Sequence, residues 1–219
     1  MPPQLVIFDC DGVLIDSEGI ASTIIAAELT AAGWAMDATD AMRLFMGMSI
    51  TDMQPIIEAR LGTSLAPGWR AGLAAQLVAA LGTQSRLIPG AAELLAAITA
   101  RGVDWRIASN SSDEEMAVKF ACCGITHLTQ GRAHSAASVI ARGGRAKPAP
   151  DVFLAAAASA GATPRDCIVL EDSALGVTGA VAAGMECYGF APHGGGAALL
   201  AAGAKRIFTR LDEVFGVLS

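Results

Sequence analysis

Leu5-Val6-Ile7-Phe8-Asp9-Cys10-Asp11-Gly12-Val13 decides how this chain of 219 residues is read. An apolar run delivers two carboxylates directly onto a glycine turn. In an extended strand, residues two apart project to the same side, so Asp9 and Asp11 face one ligand while Cys10 points away. Two close carboxylates repel unless one is protonated or a cation lies between them, and hard oxygen donors of this kind suit Mg²⁺. Paired aspartates also cap helices and shape turns, so the remainder of the chain must decide between a reaction centre and a turn.

Working outward, short apolar segments recur at residues 5–8, 105–108, 167–170, 186–190 and 206–208, with helical stretches between them. This alternation predicts an α/β protein, a Rossmann-like parallel sheet with helices on both faces. The helices over residues 90–100, 113–123, 151–160 and 174–183 each stop at a glycine, namely Gly102, Gly124, Gly161 and Gly184. From residue 16 to residue 86 the texture changes. No strand pattern is visible and helical patterns dominate, the longest over residues 18–32. The expected organisation is a core domain of residues 1–15 and 87–219 and an all-helical cap domain of residues 16–86. Such an insertion lies above the carboxyl ends of the strands, where open α/β sheets bind ligands, and can act as a lid.

Several apolar segments end in polar residues suited to one chemistry. Asp9 and Asp11 follow the first, Ser109 and Asn110 the second, and Glu171 and Asp172 the third, while Lys147 precedes Pro148 in the loop before the helix at Asp151. Parallel strands bring these ends to one edge. Each station also has an ordinary reading: Ser109 to Asp113 as a loop and helix cap, Lys147 as a solvated lysine, and Glu171-Asp172-Ser173 as a cap for the next helix. Taken together they form a phosphoryl-transfer site. Asp9 is the candidate nucleophile, giving an aspartyl-phosphate, and Asp11 the group that protonates the leaving oxygen and deprotonates the attacking water. The metal ligands are sought among Asp9, Asp11, Glu171 and Asp172, with Mg²⁺ as the cofactor. Ser109 and Lys147 complete the catalytic set by meeting the phosphoryl oxygens.

The order of these stations, Asp9-Cys10-Asp11-Gly12-Val13, Ser109-Asn110, Lys147-Pro148-Ala149-Pro150-Asp151 and Glu171-Asp172-Ser173, closely resembles the haloacid dehalogenase superfamily, in its phosphatase and phosphomutase branch with a small helical cap. The resemblance spans nearly the whole chain. It implies a Rossmann-like core, a Mg²⁺-dependent aspartyl-phosphate mechanism and a helical cap. Members that cleave carbon–halogen bonds lack the second aspartate, so Asp11 indicates a phosphate leaving group. The β-phosphoglucomutase relatives carry a cap histidine, which falls here at Ala21, and an arginine after a Gly-x-Ser loop, which here reads Gly47-Met48-Ser49-Ile50. Without those groups, water is the expected acceptor. The expected function is therefore hydrolysis of small phosphorylated metabolites, sugar phosphates foremost. A phosphomutase and a catalytically silent phosphometabolite-binding protein are the alternatives. Asn110 and the Gly47, Met48 and Ser49 loop are the candidate substrate-binding residues, because glycine permits close approach to a ligand.

Composition narrows the partners. A formal net charge of -6 and a pI near 5.0 disfavour nucleic acid and anionic membrane surfaces. Alanine supplies much of the mean hydropathy of +0.48, and no uninterrupted apolar stretch reaches spanning length. The chain enters its first strand with no signal region ahead of it, so a soluble cytoplasmic protein is expected, a monomer or weak homodimer. The five cysteines form no C-x-x-C pair and read as reduced thiols. His127, His134 and His193 lack metal-ligand spacing. Trp34, Phe45 and Trp69 read as packing residues of the insertion.

Overall fold

The computed structural model describes residues 3–218. In chain order its elements are β1 (Leu5–Phe8), β2 (Ile15–Asp16), α1 (Glu18–Ala31), α2 (Ala38–Phe45), α3 (Ile50–Leu61), α4 (Trp69–Gln84), β3 (Arg86–Leu87), α5 (Ala91–Ala100) and β4 (Asp104–Ser109). There follow α6 (Asp113–Cys122), α7 (Thr126–Thr129), β5 (Ala133–Ser135), α8 (Ala136–Ile140), α9 (Asp151–Ser159), β6 (Cys167–Glu171), α10 (Ala174–Ala182), β7 (Glu186–Phe190), α11 (Gly196–Ala202) and β8 (Ile207–Phe208).

Six strands form one parallel sheet in the order β5-β4-β1-β6-β7-β8. Parallel neighbours need a crossover, and the intervening helices provide it on both faces. The strands alternate accordingly. Val6 and Phe8 enter a core with Leu94, Trp105 and Phe120, while Leu5 and Ile7 enter the opposite core with Phe153, Val169 and Val177. The chain runs outward from β1 through β4 to β5, then crosses back to β6. Loops therefore diverge where β1 meets β6, opening a crevice at the carboxyl ends. Register fixes the level of that crevice: Phe8 lies opposite both Ile107 and Leu170, so the residues just beyond them emerge together.

β2 and β3 pair antiparallel, Asp16 opposite Arg86, so the chain leaves the core and returns to it at one place. Between them α1 to α4 enclose a core of their own, which includes Ile25, Leu29, Ile57 and Leu73. Leu73, Leu77 and Leu81, four residues apart, give α4 one buried stripe. Val118 of α6 packs against this cluster, opposite Gly82 of α4. Phe45 is buried there, and Trp34 and Trp69 are partly buried against it.

Three short strands differ from the expected pattern. Asp16 and Arg86 sit in a two-residue ladder that has no room for a periodic signal. β5, Ala-His-Ser, has no apolar run, and is held as an edge by pairing with Ile107 to Ser109. The five cysteines are free thiols. No helix among the described residues is long and apolar enough to cross a membrane.

Phe153 is fully buried and its ring centroid lies 4.9 Å from the Lys147 ammonium, so it supports both the core and the crevice. Phe153→Ala is expected to lower stability by about 3–5 kcal/mol, seen as a lower urea midpoint at unchanged slope.

Candidate active site

The carboxyl edge of the sheet gathers most of the buried polar side chains of the core. Asp9 continues β1, its amide donating to Leu170 O at 2.9 Å. Glu171 ends β6 and is fully buried. Lys147, ordinary in sequence, is only 3% exposed. Its ammonium donates to Asp9 Oδ1, to Glu171 Oε1 and to Ala108 O, which commits all three hydrogens. Ser173 secures Glu171 from the other side through its amide and hydroxyl.

Burial works hardest on Asp9. It raises the carboxyl, Lys147 pulls it down, the Glu171 and Asp11 charges raise it again, and the outcome is a pKa pushed up to about 8. Burial disfavours the Lys147 charge too, yet Asp9 and Glu171 hold that ammonium above its usual range. The raised Asp9 carboxyl reflects one ammonium serving two buried carboxylates: with both ionised, one negative charge is in excess.

That excess suits a cation. Asp9, Glu171 and Asp172 each present a carboxylate oxygen, all within 4.8 Å of one another. The donors are hard oxygens only, which fits Mg²⁺. The local backbone makes the room: Gly12 has φ of +74°, and a Cβ there would lie 1.8 Å from Asp172 Oδ2. A Cβ on Gly176 would lie 1.9 Å from Glu171 Oε1.

The Asp11 carboxylate is not part of this cluster. Lys119 of α6 donates to its two oxygens at 2.6 and 2.8 Å. Ser17 donates to Oδ1, and Ser111 and Ser109 donate to Oδ2 at 2.8 and 3.3 Å. Burial pushes the Asp11 carboxyl upward, but the Lys119 charge and these hydrogen bonds hold it below its usual range. The two aspartates of one turn therefore have opposite electrostatic surroundings.

Lys119 is the residue that sequence reasoning missed. It lies in a run rich in acidic residues that reads as a solvated face, yet it is 0% exposed. Its signal was available: Met116, Lys119 and Phe120 share the i, i+3, i+4 face that α6 buries. Its third hydrogen bond goes to Ser111 Oγ at 2.8 Å.

The expected substrate contacts divide. Gly47, Met48, Ser49 and Asn110 all line the cavity between α1–α4 and the sheet edge. The Ser49 hydroxyl, however, accepts from the Asp52 amide at 3.3 Å as the cap of α3. The Asn110 amide is a clasp: Nδ2 donates to Gly47 O at 2.7 Å and Lys147 O at 3.3 Å, and Oδ1 accepts from Lys147 N at 2.9 Å.

Lys119→Met would leave Asp11 without its cation in a largely desolvated place. Breaking a buried pair in this way is expected to cost about 3–5 kcal/mol in urea unfolding. The Asp11→Asn and Lys119→Met double variant should be more stable than the sum of the singles implies; strict additivity would show that the pair is not coupled.

The chain is similar to known proteins. Residues 3–184 match the family model described as haloacid dehalogenase-like hydrolase. The 6-phosphogluconate phosphatase of Escherichia coli is 28% identical over 193 residues, covering 87% of this chain and 84% of that protein. Hexitol phosphatase A of the same organism is 28% identical over 184 residues, covering 81% and 78%. A solved structure of a HAD family hydrolase from Deinococcus radiodurans, with bound phosphate and sodium, superposes with a TM-score of 0.76 at 33% identity over 97% of this chain and 93% of that one. The chain belongs to the haloacid dehalogenase-like hydrolase family.

Proposed function

We propose that this chain is a Mg²⁺-dependent phosphoric monoester hydrolase of small phosphorylated metabolites, sugar phosphates foremost, acting through an aspartyl-phosphate on Asp9. The observation that carries the reading is the separation of two neighbouring carboxylates at the switch point of the sheet. Asp9 stands beside Lys147 within the oxygen cluster, and Asp11 is held apart by Lys119. The two relatives named as phosphatases act, by their names, on a phosphorylated sugar acid and on hexitol phosphates.

In the first step the ionised Asp9 carboxylate attacks phosphorus and the P–O bond to the leaving group breaks, while Asp11, which gains a proton against the pull of Lys119 as the phosphoryl charge arrives, gives that proton to the departing oxygen. In the second, water attacks the phosphorus, Asp11 takes its proton, and the bond to Asp9 breaks to release phosphate. Lys147 orients Asp9 and balances charge on the phosphoryl group. The Ser109 hydroxyl, at the end of β4, would turn its hydrogen from Asp11 Oδ2 to a non-bridging oxygen of the substrate. Asp9, Glu171 and Asp172 would hold Mg²⁺, which when bound neutralises the carboxylate cluster and polarises the phosphoryl oxygens. Asp11, engaged by Lys119, is reserved for proton transfer.

Residues 16–86 act in this reading as a cap that shields the phosphoryl group from bulk water, hinged at the β2–β3 ladder and clasped to the core through Asn110. The mutase reading is less well supported, since Ala21 lines the cavity where a base would be needed. A silent binder would have no use for two separately compensated aspartates.

Phosphate release from a panel of sugar and polyol phosphates is expected to require Mg²⁺, to stop with EDTA, and to fall in Asp9→Asn on the order of 10³-fold or more. Release that survives both treatments would overturn the proposed reaction.

A further inference from the structure

The cavity holds more information about the organic part of the substrate. Its charged lining consists of the carboxylates Asp9, Asp11, Glu115 and Asp172 and a single cation, Lys147, among the described residues. Lys147 has no hydrogen left to offer, since Asp9, Glu171 and Ala108 take all three. Lys119 lies behind Asp11, sealed from solvent and committed to Asp11 and Ser111.

The helical segment adds no positive charge. Its basic residues are Arg43, Arg60, Arg70 and Arg86, and none of them lines the cavity. Arg43 is 81% exposed on its side chain and paired with Asp40, Arg60 lies over the Trp34 ring, Arg70 is exposed, and Arg86 donates to Ser85 O. What the segment presents instead is a thioether and aromatic wall, with Met42, Met46, Met48, Met53 and Phe45. Such a wall adapts to shape but cannot pair an anion.

Electrostatic accounting follows. One phosphoryl group is matched by Lys147 and by the cation that the oxygen cluster suits. A second anionic group on the same substrate would face the methionine wall, where no basic side chain of the helical segment lines the cavity. Burying an unpaired carboxylate or phosphate there is strongly disfavoured.

We infer that the substrate is the monophosphate of an uncharged sugar or polyol, and that phosphorylated sugar acids and bisphosphates are selected against by the cap wall. This rests on the phosphatase reading and adds to it the chemical class of the leaving group.

The test uses two matched pairs on the Mg²⁺-loaded full chain. Sorbitol 6-phosphate and 6-phosphogluconate differ only in an alcohol against a carboxylate at C1. Fructose 6-phosphate and fructose 1,6-bisphosphate differ only in the second phosphate. The member of each pair without the additional anionic group is expected to have at least tenfold higher kcat/KM, the difference lying chiefly in KM. Met48→Lys, or Ile50→Lys on the same wall, is expected to narrow the sorbitol 6-phosphate to 6-phosphogluconate ratio by raising kcat/KM for the acid. Equal or reversed preference in the unaltered protein would overturn the inference and leave the phosphatase reading intact. Release from none of the four would overturn that reading, and the inference with it.

Discussion

Charge compensation in a place with little water is the constraint on which the rest of this structure depends. A parallel sheet buried on both faces offers its carboxyl edge as the place where polar side chains can meet, and here that edge carries acidic groups in excess. Carboxylates removed from water are tolerated only when paired. The fold answers with two lysines from different crossovers, Lys147 ahead of α9 and Lys119 within α6, each with every hydrogen placed on a named acceptor. The remaining imbalance, centred on Asp9, Glu171 and Asp172, is what makes a divalent cation fit. Stability and chemistry are thus set by the same few atoms.

Tight backbone geometry makes that concentration of charge possible. Gly12 and Gly176 leave space that any side chain would take from Asp172 and Glu171. The Lys147 main chain is tied to Asn110, which also reaches Gly47 in the helical segment. The position of the helices and the position of the lysine beside Asp9 are therefore connected through one amide side chain. In the proposed reaction this links closure over the substrate to readiness of the nucleophile.

The two parts of the chain also divide the work of recognition. The sheet edge supplies charge and hydrogen bonds, suited to a phosphoryl group. The helical segment supplies shape through flexible methionine side chains and no cation. In the proposed reaction that division leaves the wall to distinguish one organic group from another.

The sequence by itself determined the sheet strands with apolar runs, the helices that stop at glycine, and the meeting of Asp9, Ser109, Lys147 and Glu171-Asp172 at one edge. These features are local: a run of four apolar residues or a glycine stop is written in consecutive positions, and a parallel sheet leaves its strand ends no other place to go. β5 and the β2–β3 ladder were not legible, because two or three residues carry no period. Ser49 and Asn110 line the cavity as expected of substrate contacts, and only the structure showed that one also caps α3 and the other clasps two parts of the chain. Only the tertiary structure decided that Lys119, 108 residues after Asp11 in the chain, is that aspartate's counter-ion. Pairing of buried charges depends on which faces of distant elements are packed together, and a helix of mixed charge does not announce which of its lysines will be the one inside.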